Sequence, residues 1–259
     1  METKATQEVR SMFGVICAFQ DDLITDQVLE YGNHTRPEFA FATSVLDFDM
    51  RVFDIGAHIG TFSMLALRKI RDPRNLLSIE GNQETFSLLV SNLKRQGVED
   101  ANAVNAFVGA GPGLQLETIE RNTGASRLVP ASEKRQDFHS VSIDQLASRY
   151  FVPDYLKIDV EGMEHLVLSE SKMVREEQPI LYLEAATKHL AIHGHTLEDL
   201  NIMLVGLGYK FFVNVGERNA RHDLFKVKSI DSLLRHGNFF DVLCVPAHSE
   251  SCRSLDLVV

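Results

Sequence analysis

The feature that most constrains this chain is an alternation of two patterns from residue 50 onward. Short β-rich apolar runs alternate with segments whose apolar residues recur at helical spacing. Because a helical crossover joins parallel strands, the alternation predicts a mostly parallel α/β sheet covered by helices on both faces. Segments 61–70, 83–97 and 196–208 have the helical pattern, and the last two end at glycine. The predicted strands are the seven runs MRVFDIG, NLLSIEG, VNAFVGA, DYLKIDV, PILYLEA, YKFFVNV and FFDVLCV.

The 259 residues suffice for one compact unit, and no linker is visible. Residues 1–45 contain one strand pattern and two short helical patterns, and we expect them to form a cap or lid on a main domain over 46–259. The polar stretch 109–140 is long enough to hold a short hairpin. The last two predicted strands, separated by the irregular segment 216–238, are expected to form an antiparallel edge pair.

Charge and composition narrow the range of partners. The formal net charge of -10 argues against a nucleic-acid partner, because binding to phosphates draws on clustered lysine and arginine. A small-molecule or glycan acceptor fits better. The seven-residue apolar run near the N-terminus is too short for a signal peptide, and no segment approaches the roughly 18 apolar residues of a membrane helix. We therefore expect a cytoplasmic protein with no membrane partner; the sequence leaves the oligomeric state open.

The first predicted strand leads into the loop VFDIGAHIGTF, which has the features of a cofactor loop. Gly56 permits a sharp turn, and Gly60 lets the following helix pack closely. His58 stands where a dinucleotide loop usually has its central glycine. Asp54, directly before the first glycine, would repel a pyrophosphate but would stabilise a positive group such as the α-amino group of S-adenosylmethionine. The same aspartate also suits an ordinary turn or helix cap.

The second strand ends in Glu80, whose carboxylate can accept both hydroxyls of an adenosine ribose. A carboxylate at this place is also expected for NAD, so it separates the two cofactors poorly. Taken alone, Glu80 could equally be a solvated loop acid. Together with Asp54 it favours a nucleoside cofactor.

Three carboxylates after the later strands are candidate catalytic residues. Asp159 and Glu161 follow the fourth strand and, two residues apart in an extended segment, can enter one cleft. Glu184 ends the fifth strand. A carboxylate with a raised pKa could remove a proton from a hydroxyl acceptor, whereas Asp159 with Glu161 or Glu184 could instead hold a divalent metal such as magnesium. Glu161 also suits the first turn of the next helix.

Two histidine-containing segments lie near these strand ends. His189, His193 and His195 follow Glu184, and any one of them is more typical of a solvated loop histidine than of a base or metal ligand. Upstream, His34, Arg36 and Glu38 precede the predicted core sheet and suit cap and helix-start positions.

Between about residues 50 and 185 the chain has, in this order, the segments VFDIGAHIGTF, LLSIEGN, SNLKRQG, NTGASRLV, SIDQL, YLKIDVEGMEHLVLSES and QPILYLE. In this combination the sequence resembles the FkbM family of S-adenosylmethionine-dependent methyltransferases. The resemblance implies a Rossmann-like, seven-stranded methyltransferase fold with an antiparallel last strand.

Site residues follow from the resemblance by position. Asp54, Gly56 and Gly60 would line the methionine part of the cofactor, and Thr61 and Phe62 would lie beside its carboxylate. Glu80 would bind the ribose, and Gly81, Asn82, His58 and Asp159 complete the implied cofactor-binding set. The family usually has asparagine where this chain has His58. The segment Asn122–Ser126 would face the mouth of the active site, although its Asn-Thr-Gly run also suits an ordinary turn. In the family, the segment that here contains His34 and Glu38 folds over the cofactor, so either residue would approach its methionine end.

The implied function is O-methylation of a hydroxyl on a small metabolite, natural product or sugar. The alternatives are a nucleotide-cofactor oxidoreductase of the NAD type, which predicts a G-x-G-x-x-G loop that the chain lacks, and a non-catalytic nucleotide-binding protein. A nucleic-acid methyltransferase would be expected to show an Asn/Asp-Pro-Pro-aromatic loop after the fourth strand, where this chain has VEGMEH.

Overall fold

The structure is a computed structural model that describes residues 4–98, 102–109, 111–131 and 138–256. Its strands are β1 (Thr6–Ser11), β2 (Gly14–Phe19), β3 (Val52–Ile55), β4 (Leu76–Glu80), β5 (Asn102–Asn105), β6 (Phe107–Val108), β7 (Leu114–Glu117), β8 (Arg127–Pro130), β9 (Ser140–Val141), β10 (Tyr155–Ile158), β11 (Ile180–Ala186), β12 (Tyr209–Asn214), β13 (Val227–Ile230) and β14 (Phe239–Pro246). Its helices are α1 (Leu23–Tyr31), α2 (Arg36–Ala42), α3 (Thr61–Ala66), α4 (Gln83–Arg95), α5 (Ile143–Arg149), α6 (Glu164–Ser169), α7 (Lys172–Glu177), α8 (Thr187–Ile192), α9 (Leu197–Gly206) and α10 (Glu250–Asp256).

The main sheet confirms the predicted fold class. Within the described ranges its strand order is β13-β12-β14-β11-β10-β3-β4-β5. The pairs that join β11, β10, β3, β4 and β5 are parallel, whereas β14 runs antiparallel between β11 and β12. All seven predicted runs contribute to this sheet. The eighth strand, β13, pairs antiparallel with β12 and comes from the segment that we expected to be irregular.

The strands at the centre of the sheet are buried on both faces. Every residue of β3 and β10 is buried, as expected for parallel strands covered by helices. Successive side chains point to opposite faces, so Val52 packs in one apolar cluster with α3 and α4, and Phe53 packs in the other with α5, α6 and α9. The two clusters hold the sheet between two helical layers.

The N-terminal segment packs against the first of these clusters. β1 and β2 form an antiparallel hairpin, in which only β2 was predicted because β1 is polar apart from Val9. The side chain of Asn92 on α4 fixes the hairpin: its Oδ1 accepts from the backbone N–H of Cys17 at 2.7 Å and its Nδ2 donates to Cys17 O at 2.9 Å. α1 and α2 follow as the two expected short helices. A boundary at residue 45 stays a prediction.

The expected hairpin in the 109–140 stretch is present, since β7 pairs antiparallel with β8. The run VNAFVGA divides at Ala106: β5 joins the main sheet, and β6 pairs with β9. Across the described part of the chain, no helix is long and apolar enough to span a membrane.

Candidate active site

A cavity of about 450 Å³ lies at the carboxyl ends of β3, β4, β10 and β11. The chain leaves β3 toward β4 on one side and places β10 on the other, so the cavity sits at the point where the strand order reverses. Residues from α1, α2 and the segment 122–128 also line it. The N-terminal segment and the long polar connection therefore both help to enclose the predicted site.

Backbone geometry explains the glycines of the cofactor loop. Gly56 has φ +75°, and a Cβ there would lie 1.9 Å from the backbone oxygen of Asp159. Gly60 has φ +91°, and its Cβ would lie 2.8 Å from Leu89 Cδ1 on α4. Gly56 lines the cavity, whereas Gly60 does not; Gly60 serves the packing of α3 on α4.

Glu80 is held with its carboxylate toward the loop. Its Oε2 accepts from the backbone N–H of His58 at 2.9 Å and its Oε1 from that of Asn82 at 2.8 Å. Asn82 in turn caps α4 through its Oδ1. Burial raises the pKa of Glu80 to about 7 in spite of these two bonds. Each oxygen retains a lone pair that could accept a ribose hydroxyl.

Four other predicted cofactor residues also line the cavity. Thr61 and Phe62 begin α3, and Gly81 follows Glu80. A Cβ on Gly81 would lie 2.3 Å from Phe107 Cδ1, so glycine allows this aromatic ring to close against the loop. Asp159 lines the cavity from the end of β10.

His58 connects the cofactor loop to the segment that covers the cavity. Its φ of +51° is left-handed, a conformation that asparagine and histidine tolerate better than most residues, which accounts for both the family's usual residue and this one. The ring Nε2 lies 2.9 Å from Thr123 Oγ1. Burial lowers the pKa of His58 to about 4, so the ring is neutral. Thr123 N–H donates to Asp22 Oδ2 at 2.8 Å, and Asp22 also caps α1.

Asp54 is placed differently from our expectation, because its carboxylate does not line the cavity. Its Oδ2 accepts from Ser63 Oγ at 2.6 Å, and its Oδ1 lies 3.4 Å from Lys157 Nζ. Lys157, its partner across β3 and β10, also donates to Gly56 O at 2.6 Å and pairs with Asp159 at 3.3 Å. The lysine thus stands between Asp54 and the cavity.

The structure brings Glu161, Glu184 and His189 together on the opposite wall. His189 Nδ1 lies 2.9 Å from Glu161 Oε2 and 3.2 Å from Glu184 Oε1. Glu184 lies on β11, and α8, which begins directly after β11, carries His189 back over it. Pairing with the carboxylates of Glu161 and Glu184 raises the pKa of His189 to about 10, and burial raises the pKa of both carboxyl groups. All three predicted catalytic acids line the cavity.

Local backbone geometry fixes this cluster. Glu161 has φ +54°, a strained value for a residue other than glycine. Gly162 follows at φ +112°, and a Cβ there would lie 2.3 Å from the backbone oxygen of His189. The turn therefore packs directly on α8 and directs the Glu161 side chain toward the histidine.

A second charged group, missed in the sequence, lines the cavity beside this cluster. Arg218 forms a short ion pair with Asp241, which is the partner of Glu184 across β14 and β11. Glu38 lies behind them, where its Oε2 accepts from Asn214 Nδ2 at 3.0 Å. Burial and the nearby charge of Asp241 raise the pKa of Glu38 to about 7. Asp241 and Lys157 could have been found as lone charges within apolar strands; Arg218 lies in an irregular segment without such a signal.

The remaining candidates, which are His34, Arg36, His193 and His195, differ in their relation to the cavity. His34 lines the cavity, and its Nδ1 lies 2.6 Å from Gln27 Oε1. Arg36 pairs with Asp223. His193 and His195 do not line the cavity; the ring of His195 packs on that of His165 at 4.2 Å.

Comparison with known proteins adds a family match. The model of the methyltransferase FkbM domain matches residues 54–211. No curated protein sequence matches the chain.

The chain is similar to several solved structures. An FkbM methyltransferase from Methylobacillus flagellatus is 18% identical, with a TM-score of 0.44 over 77% of this chain and 44% of that one. A precorrin-6y C5,15-methyltransferase from Geobacter metallireducens is 15% identical, with a TM-score of 0.44 over 80% and 85% of the two chains. A ribosomal protein L11 methylase from Lactobacillus delbrueckii is 10% identical, with a TM-score of 0.45 over 84% and 81%.

Proposed function

Because the chain belongs to the FkbM methyltransferase family, whose methyl donor is S-adenosylmethionine, we propose that its acceptor is a hydroxyl group of a small molecule or glycan. The observation that carries the proposal is the division of the cavity into two ends. Glu80 and the cofactor loop form one end, and Glu161, Glu184 and His189 form the other. A nucleoside bound at the first end would have its reactive group directed toward carboxylates at the second.

The residues of the loop fit the cofactor. Glu80 retains acceptor capacity for two ribose hydroxyls, and Gly56 and Gly81 let the loops around it approach Asp159 and Phe107 closely. When bound, S-adenosylmethionine supplies an electrophilic methyl group, which passes to the acceptor oxygen as the carbon–sulfur bond breaks and S-adenosylhomocysteine is left. Thr61, Phe62 and Asn82 complete the wall on this side.

The second end supplies what a hydroxyl acceptor needs. An alcohol is a weak nucleophile, and its proton must be removed as the oxygen–methyl bond forms. Glu161 and Glu184 are buried carboxyl groups of raised pKa, and raised basicity favours proton uptake. Asp159 is the more exposed third acid, with part of its charge balanced by Lys157. We assign proton uptake to this row of carboxylates.

The test is a screen of sugars and small hydroxylated metabolites with S-adenosylmethionine, followed by identification of the methylated atom. We expect an O-methyl product and S-adenosylhomocysteine. Glu161→Gln and Glu184→Gln should lower turnover by about 100-fold or more, the usual contribution of a general base. Both should bind S-adenosylmethionine within about threefold of the parent protein, measured by calorimetry. Glu198→Gln, on an exposed site of α9 outside the cavity, is the matched control.

An N-methyl or C-methyl product would contradict the assignment of a hydroxyl acceptor. Full turnover in both glutamine variants would contradict the role given to the carboxylates. A large loss of cofactor affinity in either variant would make that residue a cofactor ligand instead.

A further inference from the structure

Three ligand atoms converge in the cavity at distances that suit a metal ion. Glu161 Oε2, Glu184 Oε1 and His189 Nδ1 all lie within 4.8 Å of one another, and the histidine nitrogen lies 2.9 Å and 3.2 Å from the two oxygens. Ligands bound at right angles to a cation, each about 2.1 Å from it, are about 3 Å apart. We propose that this cluster binds a divalent transition-metal cation, which, given the proposed function, would hold the acceptor hydroxyl and leave proton uptake to Asp159, the carboxylate of the same row outside the ligand set.

One oxygen of the cluster, Glu161 Oε2, lacks a hydrogen-bond donor. Glu161 is only 7% exposed, and its Oε2 lies 2.9 Å from His189 Nδ1 without the geometry of a hydrogen bond; no other residue that the structure describes donates to it. The hydrogen bond of His189 Nδ1 is made to Glu184 Oε1, at 3.2 Å. Oε2 therefore points into the cluster without a donor, although a buried carboxylate oxygen normally has one. A cation among the three atoms would satisfy it.

The charges around the cluster favour a cation as well. Lys157 is bonded to Asp54 and Asp159, and Arg218 is paired with Asp241. Arg127, which faces Glu161, is paired with Glu117. These three cations are each paired with another acid, whereas His189 is paired with the two glutamates themselves. A divalent ion would balance the charge of both glutamates.

The ligand types indicate which metal. One imidazole with two carboxylates suits Mn²⁺, Fe²⁺ or Zn²⁺ better than magnesium, which prefers oxygen ligands alone. The set also differs from the one suggested by the sequence, because Asp159 faces Lys157 and is replaced by His189. Three protein ligands leave coordination positions open toward the cavity, where an oxygen of the acceptor can bind.

The experiment uses the full chain after treatment with a chelator, titrated with Mn²⁺ and followed by electron paramagnetic resonance. We expect one tight site per chain, with spin-echo modulation from one coordinated imidazole nitrogen. His189→Gln and Glu184→Gln should weaken binding by more than about tenfold, as loss of one ligand does. Asp159→Asn, an acid of the same cavity outside the ligand set, should change Mn²⁺ affinity by less than about threefold.

Three results would overturn the site: no bound Mn²⁺, no imidazole signal in the parent protein, or equal affinity in Glu184→Gln. The imidazole signal needs no variant, so a substitution that disturbs folding does not decide the outcome. The two proposals fail separately. Mn²⁺ binding without any O-methyl product would reject the hydroxyl acceptor alone, and O-methylation that persists with chelator and without a Mn²⁺ site would reject the metal alone.

Discussion

His58 links the cofactor loop to Glu80, to Thr123 and, through Thr123, to the start of α1. Its backbone N–H donates to Glu80, its ring lies against Thr123, and Thr123 is bonded to Asp22 at the start of α1. The backbone bond needs only a residue that tolerates a left-handed conformation. The ring contact needs a side chain long enough to reach Thr123 in the 122–126 segment, and the asparagine of the family pattern is too short. We infer that histidine at this position adds a link between the cofactor loop and the 122–126 segment.

A double-mutant cycle tests this link. His58→Asn keeps a residue that tolerates positive φ but removes the ring, and Thr123→Val removes the hydroxyl at nearly constant volume. Because the half-buried ring is neutral, the interaction is a hydrogen bond between uncharged groups, with an expected coupling of about 1 kcal/mol in the free energy of unfolding. Urea denaturation of the four proteins measures it. A coupling near zero would mean that the contact does not stabilise the fold.

Glu80 predicts a pH dependence of cofactor binding. Burial raises its pKa to about 7, so below pH 7 the carboxyl is increasingly protonated in the free protein. The ionised form is the one that accepts two ribose hydroxyls, so binding must displace the proton. The dissociation constant of S-adenosylmethionine should therefore rise as pH falls below 7, approaching about tenfold per pH unit, and level off above 7.

Glu80→Gln should remove this dependence and weaken binding at pH 8 by about 10- to 100-fold, the cost of losing bonds to a charged acceptor. Calorimetric titration at several pH values measures both effects. Glu198→Gln should retain the parent profile. If Glu80→Gln kept the same pH dependence, the titrating group would lie elsewhere.

At the scale of elements, the contact between the β3 loop and the end of β10 is set by backbone rather than by side chains. Gly56 and Gly97 both have φ near +75°, at +75° and +73°. A Cβ on Gly97 would meet nothing within 4 Å, whereas one on Gly56 would lie 1.9 Å from the backbone oxygen of Asp159. Alanine substitutions at these two glycines therefore separate two contributions to the free energy of unfolding: the cost of a left-handed conformation and the cost of a steric clash.

Gly97→Ala should lower the free energy of unfolding by about 1–2 kcal/mol, the left-handed penalty alone. Gly56→Ala should cost about 2 kcal/mol more, because β3 and β10 must separate at their carboxyl ends. It should also weaken cofactor binding, whereas Gly97→Ala should not. Urea denaturation and calorimetry measure these effects; equal losses in the two variants would show that the loop and β10 can move apart freely.

The strands differ in how clearly the sequence predicts them. β3, β4, β10 and β11 were predictable because nearly every residue in them is buried and apolar, which leaves a strong local pattern. β1 and β13 were not, because at least half of the residues in each are polar and each is stabilised by its pairing with a neighbour.

The positions of the site residues were also predictable only in part. The four acids Glu80, Asp159, Glu161 and Glu184 lie at or just beyond the carboxyl ends of neighbouring strands, so their convergence was predictable. The orientation of Asp54 was not, because it depends on Lys157 across the strand pair. Arg218 reaches the cavity through an irregular segment, and His189 became distinguishable from His193 and His195 only once α8 was placed.

For the whole molecule, the cavity wall is continuous from the N-terminal segment to the end of the sheet. Ile24 and Gln27 of α1, the 122–126 segment and the cofactor loop all line it, and Asp22 bonds the first two parts together. A cofactor in the cavity would therefore contact parts of the chain that are distant in sequence. Binding should stabilise them together.

We predict that S-adenosylmethionine at 100 times its dissociation constant raises the free energy of unfolding by about 2.7 kcal/mol. For a domain of this size, that corresponds to a rise in Tm of about 5–10 °C. Hydrogen exchange should slow in α1 and in residues 122–126 as well as in the loop 55–60, and Asp22→Ala should remove the protection of the first two while leaving that of the loop. A rise in Tm with protection confined to residues 55–60 and 80–82 would mean that the N-terminal segment is not coupled to the cofactor.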